Sequence, residues 1–100
     1  MTIYALSTAN GVSGLAVIRI SGHLALTALK TLSRKSNFET HKMSHIKIYD
    51  PDDGTHIDTG LGVYFAKPKS FTGEDIVELH IHGGVSTINL VLSALGKIDQ

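Results

Sequence analysis

One short stretch carries most of the residues able to do chemistry. In Pro68 to Gly84 (PKSFTGEDIVELHIHGG) the pattern alternates from Asp75 onward. Val77, Leu79 and Ile81 fall on one face of a strand, and Glu78, His80 and His82 fall on the other. A carboxylate on a strand can accept two parallel N–H donors from an amidine-like or guanine-like ring edge, a pterin included. His80 and His82 have an H-x-H spacing that can chelate zinc, but two ligands do not make a site and nothing in the spacing fixes a third. Gly83 and Gly84 follow, then a run from Val85 to Leu95 with helical spacing. Bare backbone at a helix start can offer N–H groups to an anion or oxyanion; the alternative is that the strand-to-helix turn needs glycine sterically. The stretch reads as the wall of a ligand site. The competing reading is an edge strand whose polar face is simply solvated.

The segment before this strand, with Ser70, Thr72, Glu74 and Asp75, has the spacing of a capping box. Strand alternation begins straight after it, so a turn role fits better than a helix cap. A second charged residue stands out in Leu15–Ser21 (LAVIRIS), the clearest strand in the chain. Leu15, Val17, Arg19 and Ser21 share one face, with Ala16, Ile18 and Ile20 on the other. A guanidinium in line with apolar neighbours is costly unless it is paired or binds something anionic. The alternative is an edge position with its head in water. Both readings stand at the level of the strand pattern.

The remaining elements follow from periodicity and turn chemistry. Thr2 to Leu6 predicts a first strand, and Ser7 to Gly14 a loop. His23 to Leu32 predicts a helix with a stripe at positions 24, 26, 29 and 32. Ser33 to Met43 is polar and mixed in charge, the least structured-looking segment. His45 to Tyr49 predicts a strand, Asp50 to Gly54 a tight turn, and Thr55 to Ala66 the returning arm of a hairpin. Gly60 and Gly62 in that arm suggest a bulge or a close backbone approach. The predicted architecture is a small α+β domain, with a mixed, mostly antiparallel sheet and two helices on one face.

A chain of 100 residues holds one small domain, and 42% hydrophobic residues supply a core. Nine basic and nine acidic residues cancel, which argues against a broad phosphate-neutralising surface. The absence of cysteine excludes disulfides, thiolate nucleophiles and cysteine-based zinc sites within these residues. No apolar run reaches membrane-spanning length, and the N-terminus lacks the basic and apolar regions of a secretory signal. A soluble, cytoplasmic protein is the expectation, with no membrane partner. There is no P-loop and no dinucleotide fingerprint, and Gly11-Val12-Ser13-Gly14 has the wrong spacing for a nucleophile elbow.

Three blocks together carry a family resemblance. They are TIYALS at residues 2–7 with GLAVIRISG at 14–22, then IDTGL at 57–61, then SFTGEDIVELHIHGG at 70–84. The combination resembles the N-terminal domain of the tRNA-modification GTPase family called MnmE or TrmE, over nearly the whole chain. The resemblance implies a fold similar to the folate-binding domains of one-carbon enzymes. It implies a module at residues 1–100 that binds 5-formyl-tetrahydrofolate or a related reduced folate and mediates homodimerisation. By motif, Arg19 and Glu78 match folate-contacting positions, Glu78 reading the pterin donor edge and Arg19 an anionic or carbonyl group. The parent proteins act with an FAD-dependent partner, MnmG (GidA), on C5 of the wobble uridine of certain tRNAs. Their helical and GTPase domains, which bring GTP, magnesium and potassium, lie outside these residues. So does the segment after the second helix, which supplies a further folate contact. The chain is therefore expected to be an N-terminal piece that does not hydrolyse GTP by itself, with tRNA contacts mostly elsewhere. Two other readings remain: a purely structural dimerisation domain, and a standalone one-carbon or metal-dependent enzyme using Glu78, His80 and His82.

Overall fold

The computed structural model describes residues 2–7, 14–67 and 73–98. Ser13, Ser70 and Thr72, singled out above, lie outside the described residues. Seven elements follow in chain order: β1 (Ile3–Leu6), β2 (Leu15–Ser21), α1 (Ala25–Ser33), β3 (Ser44–Tyr49), β4 (His56–Phe65), β5 (Ile76–His82) and α2 (Val85–Gly96). The strands form one sheet in the order β1-β2-β5-β4-β3, with every neighbouring pair antiparallel. The domain is α+β, as the sequence predicts.

The alternation in β2 and β5 is what closes the core. Ala16, Ile18 and Ile20 of β2 and Val77, Leu79 and Ile81 of β5 all point to one side and are essentially fully buried. Ile46 and Ile48 of β3 join them, and α1 and α2 cover that side with Ala25, Ala28, Leu29 and Leu32 and with Val91, Ala94 and Leu95. Each Val, Leu or Ile among them contributes about 1.5–3 kcal/mol on removal from water, before chain entropy is counted.

β5 is hydrogen-bonded on both sides, to β2 and to β4. It is the central strand, so the edge-strand reading of Glu78, His80 and His82 is wrong. β2 is likewise interior, which removes the edge reading of Arg19. The helix stripe also differs from expectation, since Ala25 and Ala28 are buried rather than Leu24 and Leu26. The cause is the helix start: Gly22, at φ 136°, turns the chain so that its carbonyl takes the Ala25 N–H, and the Thr2 hydroxyl accepts from the Leu24 N–H at 2.9 Å. Two small residues then face the sheet.

The hairpin turns where expected. Asp50 Oδ1 accepts the N–H groups of Asp52 and Asp53, and Gly54 takes the left-handed conformation at φ 77°. The bulge is at Ile48/Tyr49 in β3, not at the glycines of β4. Those glycines serve close approach instead. A Cβ on Gly60 would overlap the His80 carbonyl oxygen, and one on Gly62 would touch the side-chain ends of Ile46 and Leu29.

Candidate functional site

The antiparallel register turns separate strand patterns into rows across the uncovered face. Ala5, Arg19, Glu78 and Val63 stand directly opposite one another in one row. The next row holds Val17, His80, Leu61 and His45. Side chains paired this way lie within contact distance of each other. Arg19 and Glu78, 59 residues apart, are thereby brought together with Arg19 Nη2 donating to Glu78 Oε2 at 2.7 Å. The Arg19 side chain is 42% exposed and the Glu78 side chain 15%. The guanidinium is therefore paired, neither buried in the core nor snorkelled from an edge. The other carboxylate oxygen, Oε1, lies 3.2 Å from His80 Nε2. Ser21 extends the polar line by donating to Glu74 Oε2 at 3.0 Å.

The same face also carries apolar side chains. Ile3 is 62% exposed and Leu15 59%, and Val63 and Ile76 are buried on the same side. Beside His80 the surface is concave. A cavity of about 270 Å³ is lined by Leu15, His45, Leu61, His80 and His82, with Gly60 contributing backbone.

His82 takes a partner the local pattern does not reveal. Its backbone N–H donates to Asp58 Oδ2 at 2.9 Å, and its Nδ1 lies 2.7 Å from Asp58 Oδ1. Burial pushes the Asp58 carboxyl up, but the His82 N–H and ring, with the Thr59 N–H, outweigh it and hold the group below the ordinary carboxylate value. Asp58 lies 24 residues from His82, so no strand periodicity links them. The only hint in the sequence is its place in the IDTGL block. Because the ring of His82 turns to Asp58 and that of His80 to Glu78, the H-x-H pair does not converge. Among the described residues no group of three His, Asp or Glu side chains is placed to hold a metal ion.

At the strand-to-helix turn the Gly83 N–H donates to the Gly14 carbonyl at 3.1 Å, so that amide is occupied by the neighbouring chain segment. Gly84 is the N-cap of α2 with φ −65° and ψ 144°, and a Cβ there would meet nothing within 4 Å. The turn does not need glycine at position 84 on steric grounds. No helix among the described residues is long and apolar enough to cross a membrane.

The arrangement can do one thing chemically with the residues present. Glu78 offers acceptor capacity beyond its two protein partners, since a carboxylate has about four lone-pair sites. It does so on a strand-built, rigid base flanked by apolar surface and a guanidinium. That suits recognition of a flat, donor-edged, partly anionic molecule.

A family model described as "GTP-binding protein TrmE N-terminus" matches residues 2–99. The chain is 46% identical, over 97% of its length, to a tRNA modification GTPase MnmE from Parvibaculum lavamentivorans. It is 46% identical over 97% to one from Wolbachia sp. subsp. Brugia malayi, and 43% identical over 99% to one from Zymomonas mobilis. In each case it spans 22–23% of the relative's length, so it corresponds to about a fifth of those proteins.

Proposed function

The chain belongs to the family of TrmE N-terminal domains, and on that premise we propose that it is the folate-binding and dimerisation module of a tRNA-modification GTPase. Glu78 accepts the donor edge of a reduced pterin, and Arg19 shifts from Glu78 to an anionic or carbonyl group of the same ligand. The observation that carries this reading is the direct opposition of Arg19 and Glu78 at the centre of the uncovered sheet face, at 2.7 Å.

The residues fit a reduced folate in kind. Glu78 can accept two further N–H bonds, and Val17 and Leu61 in the next row, with Leu15 farther along the same face, supply apolar surface. The adjoining cavity, about 270 Å³, is slightly under the common range for small-molecule sites of roughly 300–1,000 Å³. A ring system fits there, and a cover over the face encloses the rest. Exposed Ile3 and Leu15 on that face favour a second copy of the chain as the cover. Bound folate supplies a one-carbon group. The residues here bind and orient it, and the largely buried carboxylate of Glu78 fixes which ring edge faces the sheet. In the parent protein, GTP hydrolysis with magnesium and potassium belongs to a separate domain. The same reading makes the FAD-dependent MnmG the partner and the wobble uridine of tRNA the substrate.

The test is calorimetric titration of the chain with 5-formyl-tetrahydrofolate, with its mass in solution measured alongside. Saturable binding by a dimer is expected, lost in Glu78→Gln and weakened in Arg19→Gln with the fold intact by circular dichroism. A dimer that binds no folate leaves the purely structural reading in its place. Folate binding unaffected by Glu78→Gln overturns the site assignment.

A further inference from the structure

The zero net charge of the chain hides a polarised distribution. Residues 30–47 hold five of the nine basic residues, Lys30, Arg34, Lys35, Lys42 and Lys47, and one of the nine acidic ones, Glu39. That segment carries a formal charge of +4, and the rest of the chain carries −4. The fold converts this excess into a concave site. The C-terminal half of α1 and the loop leading to β3 surround a cavity of about 460 Å³, lined by Lys30, Lys35 and Lys42 with Asn37 and Phe38. Glu39 is the one carboxylate among the described lining residues. It lies 3.5 Å from Lys42 Nζ, while Lys35 Nζ stands 5.3 Å from the centre of the Phe38 ring. All three lysines are exposed. α1 covers the core side of the sheet, so this cavity is on the side away from Arg19 and Glu78.

The loop is held in shape, although its composition reads as unstructured. Arg34 closes α1 in the left-handed conformation, its N–H on the Lys30 carbonyl, and its guanidinium stacks 5.0 Å from the Tyr49 ring centre. At the other end Thr40 pairs with Tyr64 at the end of β4. The Thr40 hydroxyl accepts the Ala66 N–H at 2.9 Å, and the His41 N–H donates to the Tyr64 carbonyl at 2.7 Å. A pinned loop loses little freedom on binding. Three ammonium groups around one concavity focus a positive field and repel one another, and an anion among them relieves both.

We propose that this cavity binds phosphate groups of an RNA strand, with Lys30, Lys35 and Lys42 as point charges on successive phosphates. RNA as the source of the phosphates rests on the reading above, in which the parent protein acts on tRNA; the anion chemistry does not. The site needs no base contact and reads no sequence.

The experiment is fluorescence anisotropy of an unmodified tRNA transcript with the chain at a series of salt concentrations. Three neutralised phosphates give a log–log salt slope of about −2.1 to −2.7, a loss of about 20- to 40-fold across a fourfold rise in salt. Replacing all three lysines by glutamine removes most of that slope, whereas Lys47→Gln with Lys67→Gln, a charge change outside the cavity, leaves most of it. Glu39→Gln tightens binding. The three lysines are exposed, so circular dichroism and folate titration of the triple variant match the parent. Loss of RNA binding with folate binding kept thus separates the two proposals. Absence of transcript binding by the parent, or a parent-like slope in the triple variant, overturns the proposal. Binding of inorganic pyrophosphate without binding of the transcript overturns the RNA assignment.

Discussion

Gly60 is a position where one methyl group strikes the sheet that carries the site directly. It sits in β4 against β5, and an added Cβ would overlap the carbonyl oxygen of His80. The obstacle is backbone, in the strand that holds Glu78 and His80, so relief requires the two strands to part. Overpacking of this kind costs typically about 1–3 kcal/mol, and the upper end applies because no side chain can rotate away. Against that, alanine restores about 0.5–1 kcal/mol that glycine loses in a strand interior. The net for Gly60→Ala is a loss of about 2 kcal/mol, or a fall in Tm of about 8–16 °C for a domain of this size. Gly62→Ala is the internal control. Its Cβ would meet Ile46 Cδ1 at 3.0 Å and Leu29 Cδ1 at 3.1 Å, both ends of flexible side chains. Small rotations there offset the entropic gain, and the expected change is within about 0.5 kcal/mol of zero. Urea and thermal denaturation followed by circular dichroism read both variants. Equal stabilities for the two, or a greater loss at Gly62, would show that the His80 carbonyl is not the obstacle.

Asp58→Asn removes a charge-assisted partner from both the backbone and the ring of His82, at a cost of about 1.5–3 kcal/mol near neutral pH. The carboxyl is held below its ordinary value in the folded chain, so its contribution is complete above the unfolded pKa and is lost as pH falls through the folded one. Urea midpoints measured down an acid series should therefore converge for parent and variant; a constant gap would exclude the linkage. Tyr64 is shifted the other way: burial first, then the nearby Asp75 carboxylate, raises its phenol above 10.0. Stability from this group is present below the unfolded pKa and lost as pH rises through the folded value. Ultraviolet titration of Asp75→Asn should move the Tyr64 ionisation back towards the ordinary value, and no movement would remove Asp75 as a cause.

The elements were legible because each rests on a local rule. Period-two alternation placed Val77, Leu79 and Ile81 inside and Glu78, His80 and His82 outside, and Asp53-Gly54 marked the hairpin turn. What joins the elements was not legible. The pairing of Arg19 with Glu78 is set by the β2–β5 register, and that of His82 with Asp58 by the approach of β4 to the end of β5. Neither leaves a trace in the spacing of either segment. The loop after α1 misled for a related reason. It is held by single contacts at Arg34, Thr40 and His41, which composition cannot distinguish from a free polar run. The positive charge of residues 30–47 was countable from the start, but averaging over 100 residues cancels it.

The position of the Arg19–Glu78 pair is hard to explain by stability alone. A half-exposed ion pair contributes about 0–1 kcal/mol, and an apolar cross-strand pair in the same place contributes about as much. Its neighbours in the rows are Ala5, Val63, Val17 and Leu61, among which a β-branched pair would fit without any desolvation cost. A sheet that sets two charges at its centre, leaves Ile3 and Leu15 bare towards the ends of the same face and closes its other face with helices breaks a local rule without an evident gain in stability. Such violations belong to recognition. They also couple the two halves of the proposed function. Covering this face lowers the dielectric around Glu78, which makes every unsatisfied lone pair of the carboxylate more costly. A ligand that donates to those lone pairs removes the cost. Folate binding and self-association, if both occur on this face, must then favour each other by the same free energy in either order.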